Sequence, residues 1–330
     1  MTETPRAKAA SRRALAVLLL TLASRPALAI DPSAGTSGAQ FLNIGQGSAR
    51  AMALGGAYVA LAEGSDAMTW NPAGLAATQQ REFAFSYLRA VQGLYSPLYL
   101  AYAQPTGRTT WGANFGYMSE NGFDVRDANG VPQQNASVNL IDAYGALGLA
   151  RSFWYEKLFL GASLRGIHES IAGSLHSTLA ADFGAILKPT NMLSLGFSVQ
   201  NFGASAAAVA RTTRGGAALR LNDFVTLSGE LSKATDTGAV VAVGGEFSLP
   251  EEYLDIGQLT MRVGYTSASS YGQSFNSTLK ALHLDQTSGL SFGFGVYTSQ
   301  AFGYGLSLDY AFVPMGALGM QDQIAFKIKF

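Results

Sequence analysis

The chain has 330 residues, 22 basic and 22 acidic side chains and no cysteine, which excludes a disulfide scaffold, thiolate chemistry and the basic surplus of a nucleic-acid surface. Charged residues make up 13%, about half the roughly 25% of a soluble domain, yet the hydrophobic share is an ordinary 48% and glycine rises to 38 residues. With no apolar run of the roughly 18 residues that a spanning helix needs, the composition fits a transmembrane β-barrel.

Residues 1–29 read as a secretory signal peptide. Arg6, Lys8, Arg12 and Arg13 form a basic start, and Ala14 to Ala23 an apolar stretch. Ser24-Arg25-Pro26 breaks the helix, and Ala27-Leu28-Ala29 supplies a small-x-small cleavage site. The mature chain is expected to begin at Ile30 and to be exported, and the lack of cysteine is compatible with an oxidising compartment.

Residues 30–80 show no strand alternation. They are rich in small residues and carry Gly55-Gly56 and the turn Asn71-Pro72-Ala73-Gly74. The segment has too few large apolar groups for a core of its own, and suits tight packing as short helices and turns in a confined space. Proline fixes its own φ and biases Asn71 away from helix, so the tetrapeptide reads as a hinge or stop leading into the first strand.

Residues 81–330 alternate with period two. In Leu290–Tyr297, Leu290, Phe292, Phe294 and Val296 alternate with Ser291, Gly293 and Gly295, and the chain ends in the alternating run Gln323–Phe330. Each such strand has one apolar face and one small or polar face. The polar faces carry Gly and Ser rather than Lys and Glu, and the segments have the length of a tilted membrane strand. Fourteen strands are expected, near 82–92, 96–104, 109–119, 138–151, 157–169, 176–188, 192–202, 214–221, 224–233, 238–249, 257–267, 287–298, 301–312 and 321–330. Long links at 120–137, 202–213 and 268–286 then fall at one end and short turns at the other, with the link 250–256 the weakest fit. Ile324, Phe326, Ile328 and Phe330 resemble the C-terminal signal read by the barrel-assembly machinery.

Three stretches resemble the PorV/PorQ family within the long-chain fatty-acid transporter (FadL-like) group of barrels. They are Ala49–Leu75 with its Asn-Pro-Ala-Gly turn, Asp182–Ala185 followed by Leu193–Gly203, and Tyr304–Phe330. The resemblance implies an all-β, transmembrane antiparallel barrel of about fourteen strands, with an N-terminal plug (hatch) inside the lumen. It assigns Gly55, Gly56, Asn71, Pro72, Ala73 and Gly74 to the plug or gate. Some members of the group move hydrophobic compounds, and others serve type IX secretion.

No catalytic site is legible. His168, His176 and His283 fall in no nucleophile motif and at no metal-ligand spacing, and Gly45-Gln46-Gly47 lacks the third glycine of a dinucleotide fingerprint. No metal or cofactor motif is present. Alternation places Asp142, Arg165, Asp182, Arg220, Glu230, Glu246, Arg262 and Asp309 on inward faces, where they either pair structurally or line a polar path. Facing lipid, an Arg there would cost about 2–4 kcal/mol near the midplane. Trp111, Phe153, Trp154, Tyr155, Tyr297 and Tyr304 read as interfacial girdles, with partner contact the alternative for 153–155. The leading expectation is an outer-membrane barrel, embedded in lipid, that binds or transports small hydrophobic compounds. The alternatives are a PorV-like barrel that holds secretion-system partner or cargo proteins on its outer loops, and a soluble exported β-sandwich.

Overall fold

The computed structural model describes residues 35–43, 47–127, 129–254, 257–267, 280–281, 284, 288–301 and 303–330. The expected signal peptide, Gly45, Gln46, Phe302 and His283 lie outside the described residues.

Fourteen strands run through the described residues: β1 (Glu82–Arg89), β2 (Leu98–Thr106), β3 (Thr109–Arg126), β4 (Pro132–Phe153), β5 (Leu158–Ile171), β6 (Ser174–Leu187) and β7 (Leu193–Phe202) come first. β8 (Thr212–Arg220), β9 (Val225–Ala234), β10 (Ala239–Leu249), β11 (Gln258–Thr266), β12 (Leu290–Ala301), β13 (Tyr304–Pro314) and β14 (Met320–Lys329) follow. Each pairs antiparallel with its neighbour in sequence, and β1 pairs with β14, so the sheet closes into a barrel. Closure leaves no edge strand, the condition for a sheet in hydrocarbon.

The alternation decides which way each side chain points. In β1, Phe83, Phe85 and Tyr87 stand outside while Ala84, Ser86 and Leu88 are buried inside. The same parity puts Leu147, Leu164, Leu179, Phe197, Met261 and Phe294 on the outer wall, an exposed apolar band that water would disfavour. Ile324, Phe326 and Ile328 of β14 stand opposite Tyr87, Phe85 and Phe83 at the closing seam. The Phe330 N–H donates to the Arg81 carbonyl at 2.9 Å.

Both ends of the closing strand pair define the near rim, where β1 begins and β14 ends; the links from odd to even strands lie at the far rim. At the near rim, the link between β10 and β11 holds a short helix, α2 (Glu251–Leu254), which explains its length. The link between β5 and β6 at the far rim is a two-residue turn, Ala172-Gly173, with φ of +53° and +83°. Both central residues take positive φ, the geometry that matches the twist of a hairpin.

One expected loop is strand. Residues 120–137 contain Asn121-Gly122, Asn129-Gly130 and a Val131-Pro132 step, which read locally as turns. In the structure β3 runs on to Arg126 and β4 starts at Pro132, with register shifts at Glu120/Phe123 and Asp124/Arg126. The ladder absorbs Asn121-Gly122 at a register shift, Asn129-Gly130 stays in the turn between the strands, and the hairpin projects beyond its neighbours. The first strand is shorter than expected, ending at Arg89 before a 3-10 turn over Val91–Gly93.

The described residues between 35 and 80 form no strand. They hold the helix α1 (Ala49–Ala53) and 3-10 turns at Gln40–Asn43, Ser65–Thr69 and Pro72–Ala77. Ser48 caps α1 by accepting the Ala51 N–H.

Candidate functional site

Inward residues of the strands pack against residues 47–80. Nine inward glycines ring the inner wall: Gly112 on β3, Gly148 on β4, Gly161 on β5, Gly184 on β6, Gly196 on β7, Gly216 on β8, Gly244 on β10, Gly264 on β11 and Gly293 on β12. A Cβ at any of them would come within 3.0 Å of the inner segment, meeting Met68, Leu75, Pro72, Asn71, Val59, Leu54, Gly55 or Ala53. These glycines are therefore needed for close approach rather than for turning. Gly55 is matched from the other side, since a Cβ there would strike the backbone of Tyr265 on β11.

A segment without regular ladders leaves carbonyls to be satisfied, and inward side chains do this. Ser194, Ser198 and Ser291 donate to the carbonyls of Ala60, Trp70 and Ala53 at 2.8, 2.9 and 2.9 Å. Gln200 donates to the Thr69 carbonyl at 2.5 Å. Asn71 is fully buried; its amide donates to the Val59 carbonyl at 2.9 Å and the Ala185 carbonyl at 3.2 Å, while its Oδ1 accepts the Ala73 N–H. Pro72 follows as the first residue of the 3-10 turn, where a missing N–H is harmless. Gly74 packs on the carbonyl of Ala62, and Gly56 lies against Trp70.

Charged side chains form four groups on the wall. Glu230 collects most donors: its Oε2 accepts the N–H groups of Tyr58 and Val59 at 3.0 and 2.8 Å and the Trp70 indole N–H at 3.1 Å. Its Oε1 accepts from Arg214 at 3.0 Å, and that guanidinium lies 4.3 Å from the Trp70 ring. Glu246 bridges Arg50 and Arg262, at 2.9 and 2.7 Å, and Arg262 reaches Asp309 at 2.6 Å. Burial works against the charge of Arg50, but Glu246 and Glu63 outweigh it and hold the guanidinium above its ordinary pKa. Lys327 binds Asp66 at 2.7 Å, and Glu82 accepts from the Ser65 N–H and hydroxyl at 2.8 and 2.7 Å. Arg165 and Asp182 pair at 2.8 Å, with Ser163 and the Asn201 N–H completing the carboxylate.

Of the eight inward charges expected from alternation, Arg165, Asp182, Glu230, Glu246, Arg262 and Asp309 thus sit in buried ion pairs. Arg220 is exposed at the near rim and Asp142 is buried across from Glu169 in the β4–β5 register. Arg50, Asp66, Glu82, Arg214 and Lys327 were not anticipated. Arg214 shares the parity of Arg220, and Lys327 lies between the outward Phe326 and Ile328, so strand parity alone would have found both.

The two ends of the lumen differ. Near-rim cavities of 460 and 300 Å³ share Arg50, Glu63 and Glu246; the larger adds Glu82, Arg262, Asp309, Lys327 and Lys329. Towards the far rim, Phe41 and Leu42 are buried with Tyr99, Met118, Tyr144, Ile167 and Val209. That stretch is tied down by Gly38 N–H to the Ala207 carbonyl at 2.8 Å and Ala39 N–H to Glu169 at 2.5 Å. A far-rim chamber of 260 Å³ lies beside it, lined by Gln40, Trp70, Arg214, Glu230, Asp236 and Ala242 among others.

Among the described residues no group of three or more His, Asp or Glu could hold a metal ion. His168 stands on the outer face with its Nδ1 at 2.9 Å from the Ser177 hydroxyl. Trp154 and Tyr155 sit exposed in the near-rim turn between β4 and β5, with Trp111 and Phe153 outward beside it.

No family profile matches the chain, and no curated protein does. Solved structures do. The toluene transporter TbuX of Ralstonia pickettii superposes with a TM-score of 0.59 at 15% identity, covering 86% of this chain and 97% of its own. The TodX monoaromatic hydrocarbon channel, as its ΔS2S3 mutant, gives 0.57 at 14% identity over 85% and 97%. The ΔS2 mutant of TodX gives 0.54 at 14% over 86% and 97%. At these identities the likeness establishes a shared fold.

Proposed function

We propose that this chain is an outer-membrane channel for small hydrophobic compounds, and that residues 35–80 are the plug closing its lumen. The observation that carries the reading is the pairing of an apolar outer wall with a lumen whose inward glycines and serines are fitted to one segment of the same chain. A closed barrel with a lipid-compatible exterior belongs in a bilayer, and an occupied lumen argues against an open diffusion pore. The shared fold with a toluene transporter and a monoaromatic hydrocarbon channel supports the substrate class. In this reading Gly55, Gly56 and Asn71–Gly74 seat the plug, the ion pairs fasten it, and Phe326 and Phe330 serve insertion. A PorV-like secretion role has only the resemblance of the three stretches Ala49–Leu75, Asp182–Gly203 and Tyr304–Phe330 behind it; co-purifying partner proteins would favour it.

Expression in a host lacking hydrocarbon channels tests the reading. Uptake of labelled toluene should rise above the vector control, and the protein should need detergent and migrate heat-modifiably on a gel. Unchanged toluene uptake by correctly inserted protein would overturn the channel reading, and monodisperse behaviour in plain buffer would overturn the barrel in lipid.

A further inference from the structure

We propose that the far-rim chamber binds a small molecule that carries an N–H or O–H donor on a compact apolar body, an aromatic amine or alcohol, and that Asp236 receives the donor. The inference rests on the channel reading and narrows its substrate class.

The chamber measures 260 Å³, just under the roughly 300 Å³ at which pockets for drug-sized ligands begin, so it suits a single-ring molecule. Trp70, Ala234, Val240 and Ala242 supply its apolar surface, and Asp236 in the β9–β10 link stands at its wall. Asp236 is 2% exposed. Its Oδ2 accepts the Gln40 amide at 3.0 Å, while its Oδ1 has no hydrogen-bond partner among the described residues.

The contrast with the ion-paired buried carboxylates makes this informative; Asp142 also lacks an ion pair among the described residues, but it does not line this chamber. Asp182, Glu230, Glu246 and Asp309 each meet an arginine, whereas no ion pair reaches Asp236 among the described residues. A buried carboxylate short of donors is costly, and a ligand that brings one recovers part of that cost. The chamber's other charges, Arg214 and Glu230, satisfy each other and the inner segment. The charge left over is therefore negative, which favours a donor and disfavours an anion.

The test is calorimetric titration of the full chain in detergent micelles with benzylamine, benzyl alcohol, toluene and benzoate. The amine and alcohol should bind about tenfold more tightly than toluene, the worth of one hydrogen bond to a charged group, and benzoate more weakly than toluene. Asp236→Asn should bring benzylamine close to toluene. Ser232→Trp, whose indole would fill the chamber, should abolish binding of all four. Equal binding of the four by the unmodified protein overturns the proposal even if no variant folds, and so does a preference that survives Asp236→Asn. Either result leaves the channel reading standing where toluene uptake is intact; loss of toluene uptake counts against that reading instead.

Discussion

The inner segment is fastened differently on its two sides. Towards β10–β14 it is held by long charged side chains, Arg50 on Glu246 and Asp66 on Lys327, beside a near-rim cavity of 460 Å³. Towards β5–β7 it is held by backbone seated on Gly161 and Gly196, by the Asn71 and Pro72 side chains seated on Gly184, and by uncharged bonds from Asn71, Ser194 and Ser198. Glycine seats occur on both sides, so steric fit alone does not distinguish them. The ion pairs do. Flexible side chains next to a water-accessible cavity can exchange partners, while the short side chains of Asn71, Ser194 and Ser198, bonded to backbone carbonyls, have no slack. The β5–β7 side is therefore the anchor, and the β10–β14 side the one that releases first.

The hardest way to break this comparison is at Glu230, where both sides meet. Glu230→Leu strands Arg214 and three N–H groups together, and should cost about 3–5 kcal/mol as a broken buried pair. Thermal unfolding in detergent reads this, and an unshifted transition would show that Glu230 does not hold the segment. On the anchor side, Gly184→Val should cost about 3 kcal/mol by overpacking against Asn71 and Pro72. Limited proteolysis should then cut within residues 35–80. Gly145→Val is the control, because a Cβ there meets nothing within 4 Å; equal proteolysis of the two variants would remove the anchor from the account.

On the releasing side, Lys327→Met should cost about 2 kcal/mol, the order of one hydrogen bond to a charged group. Protease access to residues 47–70 should increase for this variant. High salt should mimic part of the effect in the unmodified protein, and access that ignores both salt and substitution would place release elsewhere. Least affected should be Glu63→Gln. Glu63 pairs with Arg50, but its side chain is 55% exposed, and such pairs are worth under about 1 kcal/mol. A larger loss at Glu63 than at Lys327 would reverse the assignment of the stronger clasp.

Much of the barrel was legible because its signal is local. Strict alternation, as in Leu290–Tyr297 and Gln323–Phe330, sets both the strand and the face of every residue in it. Parity alone therefore put Glu230 and Asp182 inside. The length of the β3–β4 hairpin was not legible, since Asn121-Gly122 carries turn chemistry that only cross-strand pairing overrides. Arg50, Asp66 and the fit of Asn71 on Gly184 were beyond reach for a different reason. They lie in an irregular segment, where no period assigns a face, and their strand partners are more than a hundred residues away. The inward glycines were visible as composition, but only contact with residues 47–80 shows what they make room for.

The central claim is that this segment closes the lumen. Single-channel conductance in planar bilayers, comparing the unmodified protein with a variant lacking residues 41–70, tests it most directly. The variant should still form a heat-modifiable barrel, because the fourteen strands pair among themselves. The unmodified protein should then show little ion current and the variant a steady open pore. A variant that inserts as a barrel and remains as closed as the unmodified protein would contradict the account.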